Sequence, residues 1–229
     1  MQTNLQQKAD DRLHVGLIMD GNGRWAESRG RARVEGHLAG SAVVGRLVQA
    51  APALGIGAMT LYAFSSDNWR RPPFEVAALM GMIGRYLRSE SQKLAEAGIR
   101  LSVIGRRDRL PGALLDAIIA AEAITAGATG LHLRIAIDYS ARDSILYAVQ
   151  QGVATREGLA AALGTSDVDL VIRTGGEQRL SDFLLWECAY AEFHFTKVMW
   201  PDFSPTDLAA AIADFRQRSR RFGALAAVA

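Results

Sequence analysis

The sequence predicts a single α/β domain in which a central, mostly parallel sheet is flanked by helices. Short apolar segments of strand length alternate along the chain with longer segments of helical spacing, which is the order typical of βαβ units. The chain has 229 residues, enough for a sizeable core, and 49% of them are hydrophobic while 22% are charged. We find no linker-like or repeated segment that would divide it.

The predicted elements follow one another regularly. Apolar runs predict strands over residues 15–19, 58–64, 99–104, 131–137 and 168–172, with a shorter one over 193–198. The segments between them predict helices over 37–54, 73–97, 110–126, 141–163 and 205–222, and an apolar helix over 184–193. Residues 1–12 are polar and are expected to form a flexible segment, so the predicted domain covers 13–229.

The composition excludes several classes of protein. No apolar run approaches the roughly 18 residues that a membrane-spanning helix needs, and the first residues lack the apolar stretch of a secretory signal. The formal net charge of +2 gives no case for a nucleic-acid partner. A single cysteine, Cys188, rules out an internal disulfide and is expected to be a small core residue. We therefore expect a cytoplasmic protein.

The first candidate site follows the first predicted strand, in Met19-Asp20-Gly21-Asn22-Gly23-Arg24-Trp25. Glycines allow a tight turn that brings backbone N–H groups close to a ligand, and an arginine beside it can donate paired hydrogen bonds to phosphate oxygens. The Asp20 carboxylate cannot attract a phosphate by itself, but it can hold a Mg²⁺ ion that does. The segment therefore has the parts of a phosphate or diphosphate site, and an ordinary Asx turn is the alternative.

Two more polar clusters follow predicted strands. Residues 65–71 carry two hydroxyls, a carboxylate, an amide, an indole and two arginines, which is more than a turn requires, although helix capping is the alternative. Arg173 leads through two glycines to Arg179 and Ser181, just before a predicted helix, and this arrangement favours anions. A salt-bridged surface loop is the alternative for this third cluster.

These clusters are expected to meet. In an open α/β sheet, ligands sit beyond the carboxyl ends of the strands, and Asp20, Ser65, Asp138 and Arg173 all follow such ends. Glu192 lies near the end of the apolar helix predicted over 184–193, where the helix dipole disfavours a carboxylate unless a cation holds it. It is therefore a candidate metal ligand, with an exposed residue near the helix end as the alternative.

The helix predicted over 73–97 offers more apolar surface than one buried stripe requires. It also contains Gly81 and Gly84, each of which lowers helix stability by roughly 1 kcal/mol relative to alanine. Such glycines make room either for a neighbouring helix or for a long apolar ligand. Together with the anion sites, this favours phosphate-bearing substrates of which at least one is apolar.

The three polar segments resemble the signature segments of cis-prenyltransferases, most closely those of the bacterial undecaprenyl diphosphate synthases. Residues 200–203 (Trp-Pro-Asp-Phe) and 220–223 (Arg-Arg-Phe-Gly) match as well, and the resemblance runs in order from about residue 14 to 223. It implies a homodimer of α/β subunits, Mg²⁺ as cofactor and an apolar tunnel beside the sheet. It also implies condensation of isopentenyl diphosphate with an allylic diphosphate, typically farnesyl, to a cis-polyprenyl diphosphate such as undecaprenyl diphosphate.

The resemblance also implies roles for individual residues. The expected catalytic residues are Asp20, which would also hold Mg²⁺, and Asn68, which would assist proton loss from isopentenyl diphosphate; Glu192 would reach the metal. The allylic diphosphate would be held by Gly21, Asn22, Gly23, Arg24, Arg33 and His37, with Trp25 alongside. The site would be lined by Ser65, Ser66, Asp67, Trp69 and Arg71, and isopentenyl diphosphate would be bound by Arg173, Arg179 and Ser181. The segment 220–223 resembles one that completes the partner subunit's site.

The chain departs from the family pattern at residues 138–142, where Asp-Tyr-Ser-Ala-Arg replaces the usual Asn-Tyr-Gly-Gly-Arg. A carboxylate at this point would repel diphosphate unless metal or arginine offsets it. Two alternatives therefore stay open: a divergent paralogue with a short or irregular prenyl product, and an inert accessory subunit of the same fold. Peripheral membrane contact for the release of a long polyprenyl product also stays open.

Overall fold

Six parallel strands form the centre of the computed structural model, which describes residues 12–164 and 166–218. In the order β3-β4-β2-β1-β5-β6, they are Arg100–Ile104, His132–Tyr139, Ile56–Ser65, Leu13–Ile18, Leu170–Arg173 and Glu192–Phe195. Every neighbouring pair is parallel, which confirms the predicted sheet. Apart from Arg12, the segment predicted to be flexible lies outside the described residues, as does the motif at 220–223.

Seven α-helices are found in the described part of the chain. They are α1 (Asn22–Glu27), α2 (Arg33–Ala50), α3 (Pro73–Glu96), α4 (Gly112–Thr125), α5 (Ala141–Gln150), α6 (Arg156–Leu163) and α7 (Pro205–Gln217). The long helix predicted over 73–97 is confirmed almost to the residue. The prediction did not include α1, and it began α2 four residues too late, because the glycine-rich segment before it is typical of a turn.

Two other helix predictions were wrong. The helix expected over 141–163 is split into α5 and α6, because Gly152 turns the chain at φ +83° and Thr155 starts a new helix by accepting a hydrogen bond from the N–H of Gly158. The helix expected over 184–193 does not form. Residues 181–191 contain turns, with positive φ at Ser181 and Leu184, and Glu192 begins β6.

Helices cover one face of the sheet and turns cover much of the other. The larger core joins residues of α2, α3, α4 and α7 to β1–β5, with Leu17, Met59 and Phe64 almost fully buried. The smaller core, on the other face, is built around Phe183 and Leu184 from the turns. Cys188 belongs to it as predicted, and burial raises the pKa of its thiol to about 12, so the thiol stays protonated.

No helix in the described ranges is both long and apolar enough to cross a membrane.

Two glycines of α2 offer a matched test of its packing. A Cβ atom at Gly36 would lie 1.9 Å from the backbone oxygen of Asn22 in α1, whereas one at Gly45 would meet nothing within 4 Å. We expect Gly36→Ala to lower the free energy of unfolding by about 2 kcal/mol, because α1 must move away. Gly45→Ala should raise it by up to about 1 kcal/mol. Urea unfolding of both variants measures this, and equal effects of the two would contradict the packing described.

His14 in β1 should make stability depend on pH. The ring is 3% exposed and bonded to Thr60 and to the backbone oxygens of Ser166 and Asp167. Burial first, and then the charge of Arg134, lower its pKa from 6.5 to about 4. As pH falls, His14 therefore binds a proton at a higher pH in the unfolded chain than in the folded chain. For this reason the contribution of His14 to the free energy of unfolding should fall as pH drops from 6.5 towards 4, by roughly 3 kcal/mol in all.

The measurement is urea unfolding at several pH values in that window. His14→Gln keeps hydrogen-bonding capacity and should flatten the pH dependence relative to the parent chain. His194→Gln, at a half-buried position in β6, provides the matched control. An unchanged slope in the His14 variant would show that this ring is not the cause.

Candidate active site

The carboxyl ends of the central strands bring the three polar clusters together, as predicted. Ile18 of β1 is paired with Tyr62 of β2 on one side and with Arg173 of β5 on the other. Ser65 at the end of β2 is paired with Tyr139 of β4. Asp20 therefore lies beside the start of the 173–181 segment and across from the 65–71 segment.

Asp20 is the centre of the site's hydrogen bonding. One carboxylate oxygen accepts from the N–H of Gly21 at 2.6 Å and from Arg24 at 3.2 Å, and the other accepts from Arg173 at 2.8 Å. The hydroxyl of Thr174 donates to the backbone oxygen of Asp20 at 2.7 Å and accepts from its N–H at 3.0 Å. These two hydrogen bonds hold the backbone of Asp20 in place. Thr174 therefore belongs to the site, although no role was predicted for it from the sequence.

Charge keeps Asp20 ionised. Partial burial opposes ionisation, but the hydrogen bond and charge of Arg173, together with Gly21 and Arg24, hold the pKa of the carboxyl below its usual range. The carboxylate is 29% exposed, so one side of it remains open to a ligand. An ionised carboxylate with an accessible side is a suitable ligand for Mg²⁺.

Arg173 and its neighbours form one basic group. Arg173 is 5% exposed and donates to the hydroxyl of Ser181 at 3.0 Å and to the backbone oxygen of Arg179. Arg179 itself is 60% exposed and pairs with Glu177 at 2.6 Å. The salt bridge of the alternative interpretation is thus present at Arg179, whereas Arg173 pairs with Asp20. Because no helix begins here, the anion site consists of two guanidinium groups and a hydroxyl without a helix N-terminus.

A second basic group lies between α2 and α3, and its centre is a residue that sequence reasoning missed. Glu75, 7% exposed, approaches Arg71 at 3.0 Å, Arg33 at 3.6 Å and His37 at 3.9 Å. A glutamate in the first turn of a helix after two prolines is ordinary on dipole grounds, so the pattern gave no signal. Its carboxylate holds three of the predicted site residues together.

His37 is neutral at this position. Burial, followed by the charge of Arg71, lowers the pKa of the ring to about 4, although Glu75 acts in the opposite direction. A neutral imidazole can both donate and accept a hydrogen bond. It lies at the polar end of a cavity that Asn22 also lines.

The glycines around Asn22 allow close approach. Gly21 has φ +100° and precedes α1, where an L side chain would be strained. A Cβ atom at Gly23 would lie 2.5 Å from the guanidinium carbon of Arg33, so glycine is what lets this arginine reach the site. Asn22 donates to the backbone oxygen of Met19 at 3.0 Å.

Residues 65–71 both cap a short helix and border the cavity. Ser65 accepts from the N–H of Asp67 at 3.2 Å and Asn68 accepts from the N–H of Ser65 at 3.2 Å, so these side chains cap a short 3₁₀ helix. Ser65, Asn68 and Arg71 nevertheless line the cavity. Asp67 points to solvent and pairs with Arg70 at 3.5 Å.

Ser66 connects this segment to the unusual carboxylate. Its hydroxyl donates to Asp138 at 3.0 Å, and Arg109 donates to both oxygens of Asp138 at 2.6 Å. The side chain of Asp138 is 0% exposed. Burial opposes its ionisation, but Arg109 and the neutral donors keep its pKa below the usual range. An arginine therefore offsets this carboxylate, as the sequence analysis required.

The two tryptophans of the predicted site are held by other partners. Trp25 donates its indole N–H to Asp202 at 2.7 Å and lies under the guanidinium of Arg29 at 4.3 Å. Trp69 packs edge-on against Phe64, with ring centroids 5.3 Å apart. Both rings border the polar segments, and neither is among the residues that line the cavity.

A cavity of about 360 Å³ runs from these polar groups down between α2, α3 and the sheet. Its polar end includes Asp20, His37, Asn68 and Arg173. Its deeper walls are apolar and include Val44, Leu61, Leu79, Met82, Ile83, Tyr86 and Ile135. Basic groups and an apolar cavity therefore adjoin in the structure, and their use as an anion site and an apolar ligand site stays a prediction.

Glu192 is not brought to this site within the chain. It is the first residue of β6 and pairs with Leu170, at the end of the sheet opposite Asp20. Its carboxylate binds Arg218 at 2.8 Å. Nor do the described residues contain a group of three or more His, Cys, Asp or Glu side chains able to hold a metal ion.

Mg²⁺ still fits the residues present. This ion keeps several waters and is commonly held by one or two carboxylates plus substrate phosphates, so it needs no cage of protein ligands. The ionised and partly exposed Asp20, beside basic groups that suit diphosphate, is such a donor set. The fold and site together define an α/β protein in which basic groups lie above an apolar cavity, an arrangement that suits phosphorylated apolar ligands.

Comparison with known proteins gives the family. Residues 18–223 match the family model described as "Putative undecaprenyl diphosphate synthase". "Isoprenyl transferase 1" of Bradyrhizobium diazoefficiens is 57% identical over 100% of this chain and 96% of its own, and "Isoprenyl transferase" of Neisseria gonorrhoeae is 46% identical over 97% and 93%.

Solved structures agree with this result. Lavandulyl diphosphate synthase from Lavandula x intermedia, in complex with dimethylallyl diphosphate, superposes with a TM-score of 0.85 at 37% identity, covering 92% of this chain and 97% of that one. A "probable undecaprenyl diphosphate synthase" from Campylobacter jejuni gives 0.80 at 30% identity over 93% and 99%. The chain belongs to the undecaprenyl diphosphate synthase family of cis-prenyltransferases, and it is a prenyltransferase that acts in isoprenoid biosynthesis.

Proposed function

We propose that this enzyme catalyses the Mg²⁺-dependent condensation of isopentenyl diphosphate with an allylic diphosphate, farnesyl diphosphate first among them, to a cis-polyprenyl diphosphate such as undecaprenyl diphosphate. The observation that supports this most is one cavity with two basic groups at its polar end and apolar walls below. Two diphosphates can be bound side by side there while one hydrocarbon chain extends between α2 and α3.

The two basic groups suggest a separate binding place for each of the two diphosphates. The basic group of Arg33 and His37, with the N–H groups that follow Asp20, would hold the allylic diphosphate above the apolar walls. Arg173, Arg179 and Ser181 would bind isopentenyl diphosphate on the other side of Asp20. Mg²⁺, when bound by Asp20 and diphosphate oxygens, would neutralise charge on the leaving group.

The bond changes follow from this placement. The C1–O bond of the allylic diphosphate breaks and diphosphate leaves, the double bond of isopentenyl diphosphate forms a new bond to C1, and C2 of isopentenyl diphosphate loses a proton. Arg24 and Arg33 would stabilise the negative charge where it develops on the departing oxygens. Asn68, held by its hydrogen bond to Ser65, would orient isopentenyl diphosphate for the proton loss.

A short or irregular prenyl diphosphate is the second candidate product. The cavity of about 360 Å³ is at the small end of the roughly 300–1,000 Å³ of ligand pockets. The superposition on a lavandulyl diphosphate synthase favours the same alternative. The presence of Asp20, Asn68 and both basic groups argues against an inert accessory subunit.

The chemistry also suggests where the enzyme acts. We propose a homodimer in the cytoplasm with peripheral membrane contact, because a polyprenyl product must leave into lipid. Light scattering on the purified chain measures the assembly.

The direct test is an assay with Mg²⁺, labelled isopentenyl diphosphate and, separately, dimethylallyl, geranyl and farnesyl diphosphates, followed by sizing of the products. A long cis product made from farnesyl diphosphate, lost when Mg²⁺ is chelated, is the expected result. A short or branched product would replace it with the second candidate. Failure to form any product with any primer would contradict both.

A further inference from the structure

We propose that the outer surface of the first halves of α2 and α3 is a docking surface for an anionic lipid bilayer. This inference rests on the proposed function, because a polyprenyl diphosphate is itself a lipid. It identifies the part of the molecule that faces the membrane and the residues that bind it.

Three large apolar side chains are exposed at this surface. Phe74 is 77% exposed, Leu38 48% and Val34 37%, and we call these three the apolar rim. Val34 and Leu38 lie one turn apart on the same side of α2. Their helix is joined to the start of α3 by Arg33, whose Nε lies 3.6 Å from the carboxylate of Glu75. The rim therefore spans the two helices where they meet.

The same two helices form walls of the substrate cavity. Val44 of α2 and Leu79, Met82 and Tyr86 of α3 line its apolar part. The rim thus lies on the outside of the helix pair that encloses the proposed prenyl chain. A bilayer seated on the rim would be close to the cavity that must release this chain.

Charge indicates the kind of bilayer. Exposed arginines that are paired with no carboxylate among the described residues lie just before α2, at Arg31, and on α3, at Arg85 and Arg88. Arg85 follows Phe74 by eleven residues, about three helical turns, and so lies on the same side of α3. Of the nearby carboxylates, Glu27, Asp67 and Glu75 are paired with arginines, and Glu35, beside Val34, accepts a hydrogen bond from the N–H of Ala32. An apolar cluster within a basic border is the pattern of a surface that binds anionic lipid.

The test is cosedimentation of the full chain with vesicles of phosphatidylcholine alone or mixed with phosphatidylglycerol. We expect binding to the mixed vesicles only. The double substitution Leu38→Glu with Phe74→Glu should weaken that binding by about tenfold or more, because both side chains lose their burial in lipid. Val149→Glu is the matched control: Val149 is 54% exposed on α5, the helix whose buried Ala141 packs on the other face of the sheet.

A second variant keeps the test valid if the first does not fold. Arg85→Glu with Arg88→Glu should likewise weaken binding to the mixed vesicles by about tenfold or more, because the two positive charges that attract anionic lipid become negative. Absence of binding by the parent chain, equal binding to both kinds of vesicle, or equal loss in the Val149 variant would overturn the docking surface.

Prenyl transfer is measured separately on the same preparations in detergent micelles. Transfer without vesicle binding would overturn the docking surface and leave the proposed function intact. Vesicle binding without transfer would keep the docking surface and overturn the proposed function.

Discussion

Asp20→Asn is expected to lower kcat for prenyl transfer by about 10³-fold or more, because the variant loses the charge that would hold Mg²⁺ against the departing diphosphate. The change in shape is small. An asparagine oxygen can still accept the hydrogen bond from the N–H of Gly21, now 2.6 Å from the carboxylate. The backbone of residue 20 stays fixed by Thr174. Steady-state turnover with isopentenyl and farnesyl diphosphates measures the effect.

Two controls separate chemistry from folding. Asp116→Asn removes the same charge from an exposed position on α4 and should leave kcat unchanged. The melting temperature of the Asp20 variant reports any loss of stability, since Arg173, 5% exposed, loses its charged partner. A folded Asp20 variant with kcat within about tenfold of the parent would show that this carboxylate has no essential role.

Much of the site was predictable because the strands are apolar and their ends are polar. In a parallel sheet, the order of polar groups along the chain becomes a set of neighbours at one edge, so Asp20 and Arg173 were expected to meet although 153 residues separate them. The surplus apolar surface of α3 likewise favoured an apolar ligand, and side chains of α3 line the cavity. The local sequence pattern was sufficient to predict those parts of the structure that burial and the geometry of the sheet determine.

The prediction failed where the backbone depends on tertiary contacts. Residues 184–190 are apolar enough for a helix, yet Ser181, Asp182 and Leu184 have positive φ. Asp182 is held there because its carboxylate accepts from Ser140 at 2.5 Å and its backbone oxygen from the N–H of Ala141. A local sequence pattern does not reveal hydrogen bonds between residues about 40 positions apart. The position of Glu192 at the far end of the sheet could therefore not be predicted. The contacts of Glu75 with Arg33 and His37 also join residues about 40 positions apart, so its place in the site could not be predicted either.

Asp138 shows what a comparison of motifs can and cannot tell. The sequence shows a carboxylate where the family usually has an amide, and it leaves open what offsets the charge. The structure identifies Arg109, 29 residues away, as its partner. Asp138 has φ +49°, a conformation that Asn and Asp tolerate better than most residues, which explains why both occur at this position.

Arg109→Leu is expected to lower the free energy of unfolding by about 2–3 kcal/mol at pH 7. The substitution leaves Asp138, 0% exposed, with a buried charge and no cation bonded to it. The effect should be smaller than for a fully buried pair because 39% of the Arg109 side chain is exposed to solvent. Urea unfolding at constant pH measures the loss.

The pH dependence and a double variant identify the cause. In the parent chain the pKa of Asp138 is lowered on folding, so its contribution to stability is present above the unfolded value of 3.8 and is lost as pH falls below it. Without Arg109, only neutral donors such as Ser66 oppose the effect of burial on the carboxyl, and we expect its pKa to rise. The loss of stability in Arg109→Leu should therefore be smaller at pH 5 than at pH 8. Adding Asp138→Asn removes the charge and should recover most of the lost stability, since asparagine fits the backbone and can still accept from Ser66. A double variant no more stable than Arg109→Leu would show that the loss comes from the contact of Arg109 with Trp69 and not from the buried carboxylate.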